Sequence, residues 1–386
     1  MHPMLKPALR RGWRSRDTVQ FGVARAHAVV VGPLDTATGS FLELLDGTRG
    51  LPLLREEAQA LGLPEGRADA LLDRLTAAGL LDDTRPGGAA GATASVPGAV
   101  LDRLRPDAAA LSVLRPEPGA AARLLAARRA TRVQVRGAGR VGAAVAAALS
   151  SSGVGQVDVV DGGCVEPWDV APGGLSAEQI GERREVAARR LVRRAAPGPR
   201  PRPRAGDPPP GGEPGLALVV IAPRDGLAAY APDPAAAEPL LASGTPHVYA
   251  GVIENTGVVG PLVLPGLTSC AGCAARARAD REPVWPRMLA QWRSGRRGAA
   301  PACDTALATV VAGLTASRAL AFLDGGLLLD GGLPGGAAAR WELALPALSW
   351  QAERIDAHPG CECGAAGRDD AVYASAAERP HATMCG

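Results

Sequence analysis

Four of the seven cysteines fall in two tight pairs, Cys270 and Cys273 in "CAGC" and Cys361 and Cys363 in "CEC". Two thiolate knuckles separated by about 90 residues suit tetrahedral Zn2+. Four sulfur ligands leave no open coordination position, so a structural zinc is expected, with His358 or Cys385 available to replace one ligand. A second constellation is "VQVRGAGRVGAAVAAALSSSGVGQVDVVDGG", residues 133–163. Gly137, Gly139 and Gly142 spell GxGxxG, and Asp161 follows 19 residues after the third glycine. The first glycine permits a tight turn, the second lets backbone N–H groups approach a phosphate, and the third allows close helix–strand packing. Asp161 is then placed to hydrogen-bond ribose hydroxyls. A third candidate is Cys303 in "PACDTALA", where a helix N-terminus would lower a thiol pKa. A small buried residue at a helix start is the plainer reading of the same position. Cys164 either lines the nucleotide pocket or fills space.

Those residues need elements to hold them. "RVQV" reads as a buried parallel strand, the alanine-rich run to Gly153 as a helix, and "QVDVV" as the next strand, a βαβ unit. Ahead of it, "TVQFGVARAHAVVVGPL" reads as a hairpin. Three short helices follow, the second with Leu53, Leu54, Ala58 and Leu61 on one face, the third with Leu71, Leu72, Leu75 and Leu80. The expected organisation is a winged-helix-like domain over 1–83 and a linker at 84–100. An α/β domain with a Rossmann-like, mostly parallel sheet then covers 101–364, interrupted by a disordered insert at about 197–215. A flexible tail occupies 365–386.

Composition narrows the function. The formal net charge is only +3, and no basic stripe with interleaved aromatics appears, so nucleic acid is not an expected partner. Of 42 basic residues only Lys6 is a lysine, a skew that reflects base composition more than selection. The first residues lack an apolar signal-peptide core, and the run Ala306–Leu323 contains Arg318, which favours a packed helix over a membrane span. A cytoplasmic location and no membrane partner are expected. Trp285 and Trp292, at helical spacing with Met288 and Leu289, read as core or dimer interface. His247 and His27 read as structural.

Two resemblances extend this reading. "LDGTRG…REEAQALG…LLDRLTAAGLLDD" resembles the PqqD-like precursor-peptide recognition element, which implies that a partner peptide adds as a strand to an exposed hairpin edge. From about residue 130 to 363, the ordered run "VGQVDVVDGGCVEPWDV", "IGERREVAARRLVRR", "TPHVYAGVIENTGVVGPLVLPGLTSCAGC" and "PACDTALATVVAGLTASRALAFLDG" resembles the ThiF and ubiquitin-activating-enzyme superfamily. That resemblance implies binding of ATP and Mg2+, adenylation of the C-terminal carboxylate of a ubiquitin-like protein or peptide, and a homodimer. It also places catalytic roles on Arg184, where the family has lysine, and on Asp225. Some relatives use a cysteine for thioester or persulfide transfer, a role that would fall to Cys303.

The chain departs from that pattern where the chemistry would be. Asp169 stands in place of asparagine, Pro172 and Gly173 in place of arginine and glutamine, Gly163 in place of a second acid, and Arg224 at the metal-binding aspartate. An arginine at a metal position opposes the metal. The expected function is therefore capture of a precursor or carrier peptide and its presentation to a modifying enzyme such as a YcaO-like partner. The alternative is an active ATP-dependent adenylyltransferase.

Overall fold

The computed structural model describes residues 1–84, 96–199, 215–295, 300–325 and 337–366. Most of the expected linker, insert and tail, and Cys385, lie outside these residues. The chain divides into two compact units, the first ending at Ala127 and the second beginning at Arg128.

In the first unit, β1 (Pro3–Leu5) pairs antiparallel with β5 (Leu81–Asp83). A separate antiparallel sheet has the order β2-β3-β4, from Arg11–Trp13, Val19–Phe21 and Val29–Val31. The expected hairpin is β3–β4, and the structure adds β2 as a third strand. β2 is three residues long and fully exposed, so it has no alternation of polarity that would mark a strand in advance. Helices α1 (Thr36–Glu43), α2 (Leu51–Ala60) and α3 (Arg67–Ala77) pack on this sheet through Phe41, Leu42, Leu54 and Leu75. Asp35 caps α1 by accepting the Thr38 N–H at 2.7 Å. Leu53, expected on the buried face of α2, is 45% exposed, because it lies one residue, or about 100° of helix, away from buried Leu54. Helices α4 (Gly98–Arg103), α5 (Arg105–Leu114) and α6 (Ala120–Arg129) follow.

The second unit is built on a seven-stranded sheet. Its strands are β6 (Arg132–Arg136), β7 (Gln156–Val160), β8 (Leu218–Ile221), β9 (His247–Ile253), β10 (Thr256–Val263), β11 (Ala339–Ala344) and β12 (Ser349–Arg354). The order is β12-β11-β10-β9-β8-β6-β7, parallel from β7 to β9 and antiparallel from β9 to β12. The parallel part is the Rossmann-like half, with helix α7 (Arg140–Ser151) between β6 and β7, and α8 (Arg184–Ala195) packed against α7 and β7. Short α9 (Leu227–Tyr230) and α10 (Pro234–Ala242) connect β8 to β9, and α11 (Ala271–Arg281) and α12 (Trp285–Ser294) follow β10.

Helix α13 (Thr305–Leu323) is long and apolar enough to cross a membrane. It packs instead against α7, β9 and β10, and buries Leu307, Val311, Thr315 and Ala319 on one side. Arg318 in this helix is 3% exposed and donates to the Ala337 carbonyl at 2.7 Å.

Candidate functional site

The glycine loop joins β6 to α7 with the geometry its residues allow. Gly137 has φ +112°, and a Cβ there would lie 1.9 Å from the Ala222 carbonyl oxygen. A Cβ on Gly142 would lie 2.1 Å from the Gly137 carbonyl oxygen. Both positions need glycine, the first for backbone conformation and the second for close helix–strand approach. Gly139 is the N-cap of α7, and what lies over it is protein: a Cβ there would come 2.9 Å from Arg224 Cγ.

Around this loop three carboxylates meet two guanidiniums. Asp161 accepts the Ala138 N–H at 2.7 Å through Oδ2 and Arg184 Nη1 at 3.1 Å through Oδ1, so each oxygen already has one partner within the protein. Arg184, 6% exposed at the start of α8, also donates Nε to Asp169 at 3.0 Å, Nη2 to Glu166 at 3.4 Å, and Nη1 to the Gly162 carbonyl. Arg224 donates Nε to Asp169 Oδ1 at 2.7 Å and Nη2 to Glu166. Burial pulls the Arg224 pKa down, yet its bonds and charge pairing with Asp169 and Glu166 outweigh that and hold it above the ordinary arginine value. Nearly buried Asp169 is thereby neutralised from both sides.

Beside the loop is a cavity of about 700 Å3. Gly139 lines it, whereas Asp161 and Arg184 do not. Among the described residues, five carboxylates line it (Glu166, Asp169, Asp225, Glu254, Glu342) against two guanidiniums, Arg140 and Arg224. Arg140 bolts the head of α7 to its surroundings, donating to the Trp168 carbonyl at 2.9 Å, the Cys303 carbonyl at 2.7 Å and Thr305 Oγ1 at 3.1 Å. Asp225, one of the candidate catalytic residues, accepts the Leu227 N–H at 3.0 Å and so ties the turn into α9. Trp285 and Trp292, read from sequence as core or interface, line the cavity with Trp168 and Tyr230. The seven-residue spacing on α12 is the signal that put both tryptophans on one face.

Cys303 also lines the cavity, two residues before α13 begins. At Cys303 burial works against a helix-lowered thiol. Burial pushes the Cys303 thiol up, and nearby Arg140 only partly opposes this. Iodoacetamide at pH 7.5 should therefore label Cys303 several-fold more slowly than free cysteine. Peptide mass spectrometry checks this, and labelling as fast as free cysteine would count against the burial effect. Cys164 is exposed and lies outside the cavity lining. His247 is fully buried, its Nδ1 3.1 Å from the Thr245 carbonyl oxygen, and burial lowers its pKa. His27 is on the surface.

The cysteine pairs come together in the same unit. Cys270 is the N-cap of α11, and Cys273 lies in its first turn. The sulfurs are 3.6 Å apart for Cys270–Cys361, 3.5 Å for Cys273–Cys363 and 3.9 Å for Cys270–Cys273, and all four lie within 4.8 Å of one another. Tetrahedral ligands at about 2.3 Å from one ion sit about 3.8 Å apart, so this set can hold a metal. The Cys273 thiol is pulled down, first by its hydrogen bond with Cys270, against burial, and aided by the His358 backbone amide. Burial pushes the Cys363 thiol up to about 11. The alternative ligand His358 is otherwise engaged: Nδ1 accepts the Gly360 N–H at 3.0 Å and Nε2 lies 2.8 Å from Asp280.

Comparison with solved structures finds the same fold in a protein with ATP and in a protein with a peptide. E. coli MccB with ATP aligns with TM-score 0.65 and 15% identity, over 94% of this chain and 99% of that one. The microcin C7 biosynthetic enzyme MccB in complex with N-formylated MccA aligns with TM-score 0.66 and 15% identity, over 94% and 100%. The heterocyclase TruD aligns with TM-score 0.59 and 17% identity, over 94% of this chain and 43% of that longer one. By sequence, no curated protein matches the chain. The ThiF family model matches residues 117–365, more than half of the length, which places this chain in the ThiF family.

Proposed function

We propose that this chain captures a precursor peptide on its N-terminal unit and presents it to a separate modifying enzyme, with its own adenylation chemistry lost. The observation that carries the reading is Arg224, whose stem lies over Gly139 and whose guanidinium occupies Glu166 and Asp169. A triphosphate needs cations and a coordinated metal around it. Here the carboxylates nearest the loop are already paired, and among the described residues the cavity lining holds more carboxylates than guanidiniums. These residues do not fit Mg–ATP. A YcaO-type enzyme is the proposed recipient, as for ThiF-like proteins of azoline-forming systems, and a homodimer through the second unit the proposed assembly. The zinc assignment for the four cysteines belongs to the same reading: thiolates at this spacing, with backbone N–H groups of His358 and Ala365 directed at Cys273 and Cys363, favour Zn2+ in a structural role.

The competing reading, an active adenylyltransferase, draws on the glycine loop, which keeps the shape a phosphate requires. Pyrophosphate–ATP exchange in the presence of the partner peptide separates the two, because peptide presentation requires none.

The peptide side has its own test. In the first unit, Arg14 and Gly22 donate across the β2–β3 pair, so Gln20, in phase with them, points its backbone at β2. By alternation Val19 and Phe21 bond β4, and Val30 turns its N–H and C=O toward the edge of the sheet where no further strand lies among the described residues. β4 is three valines without a charge or proline to discourage pairing, which suits strand addition. Val30→Pro removes the outward donor without removing a bond of the sheet. It should weaken binding of the partner peptide at least about tenfold, roughly the worth of one backbone bond and its steric block. Calorimetry measures this, and unchanged affinity in a folded variant rules out the β4 edge as the reader.

A further inference from the structure

The chain is poor in aromatic residues, with six tryptophans, three tyrosines and three phenylalanines among 386 residues. Three of the six tryptophans nevertheless line the cavity beside the glycine loop: Trp168, Trp285 and Trp292. Tyr230 is a fourth ring in the same wall. Trp285 and Trp292 meet edge to face at 5.4 Å between centroids, which holds a rigid aromatic corner. Two of the four rings already carry an arginine of this chain: Arg278 lies 4.3 Å from the Trp285 centroid and Arg340 lies 4.8 Å from the Tyr230 centroid. Trp168 and Trp292 carry none among the described residues, and Trp292 is 49% exposed.

Opposite charge lies in the same wall. Glu166 and Asp169 are taken by Arg224, and Glu342 pairs with Arg340 at 2.8 Å. Glu254 has no ion-pair partner among the described residues. It occupies the tip of the β9–β10 hairpin at φ +46°, with Asn255 at +60°, a two-residue turn that usually selects glycine or asparagine. Asp225, tied to the turn before α9, lines the cavity as well.

We infer that this cavity receives a guanidinium-bearing side chain of the bound peptide, stacked on Trp292 and Trp168 and paired with Glu254. The inference rests on the proposed loss of nucleotide chemistry from the same cavity. A volume of about 700 Å3 lies within the usual range for small-ligand pockets. Among the described lining residues carboxylates outnumber guanidiniums, and Glu254 in particular favours a cation over a polyphosphate. A planar guanidinium stacks on an indole face while its N–H groups remain free to bond a carboxylate, which a lysine ammonium does less well. A peptide encoded with the arginine-for-lysine composition of this chain would also carry its positive charge as arginine.

The probes are Nα-acetyl-arginine amide and its uncharged isostere Nα-acetyl-citrulline amide, titrated into the full chain and followed by tryptophan fluorescence. The arginine compound should give a saturable change with a Kd on the order of a millimolar, as befits so small a ligand. The citrulline compound should bind at least tenfold more weakly. Glu254→Gln should remove most of that discrimination, and Trp292→Leu should weaken binding and diminish the fluorescence response, both without loss of the folded circular dichroism spectrum. Equal binding of the two compounds, or full discrimination in Glu254→Gln, overturns the assignment. Mg–ATP is titrated in parallel. Tight ATP binding with pyrophosphate exchange overturns the loss of adenylation and this assignment together, whereas silent ATP without arginine discrimination overturns the assignment alone.

Discussion

Pyrophosphate–ATP exchange by the purified chain, with its partner peptide present, is expected to stay at background. Adenylation collects negative charge between the α-phosphate and the leaving pyrophosphate, and the rate depends on cations already placed there. In this protein Pro172 and Gly173 replace two polar side chains of the family pattern. Arg184 is turned inward onto Asp161, Glu166 and Asp169. Arg224, standing at the family's metal-binding aspartate, fills the space over Gly139 and pairs with Glu166 and Asp169. Each missing cation costs several kcal/mol at the transition state, roughly 10²-fold or more in rate, so the expected result is no measurable turnover. Asp161→Ala is the control. It removes the acceptor for the Ala138 N–H and one partner of Arg184, so any true nucleotide site at the loop should be lost with it. Robust exchange that disappears in Asp161→Ala would mean that Asp225 or another group holds a metal, and the protein would then be an adenylating enzyme.

Cys270→Ser should release about one zinc per chain and destabilise the second unit by at least about 3 kcal/mol, since a structural zinc site contributes folding free energy directly. At roughly 2–4 °C per kcal/mol for a domain of this size, that is a fall in Tm of about 6 °C or more. Cys270 is 1% exposed and also starts α11, so the variant loses a ligand at a packed position beside Tyr249 and Val263. Cys361→Ser tests the same site from the other knuckle, where the residue is only partly buried and packing changes less. Metal analysis and differential scanning calorimetry read both. Full zinc content in a variant with all four cysteines replaced would place the metal elsewhere.

The sequence by itself determined the features that depend on local spacing. The βαβ unit follows from a valine alternation, three glycines and a small-residue helix, all within about 30 residues. Each glycine role is met at Gly137 and Gly142 because the turn and the helix–strand contact are made by neighbours in sequence. The cysteine pairs were legible too, since each knuckle is a short motif and their convergence is what tetrahedral coordination demands.

Only the tertiary structure decided how the charges near the loop are spent. Arg224 is 58 residues from Glu166 and 55 from Asp169, and no periodicity announces that it reaches both. Asp161 looked ready for a ribose, but whether its oxygens were free depended on Arg184, 23 residues on, and on an amide of the loop itself. The pairing of β1 with β5, the third strand β2, and the gathering of three tryptophans at one cavity are contacts of the same kind. Periodicity specifies which face of an element is buried and against what polarity. Which distant charge or ring arrives at that face is set by chain topology, which local patterns do not encode.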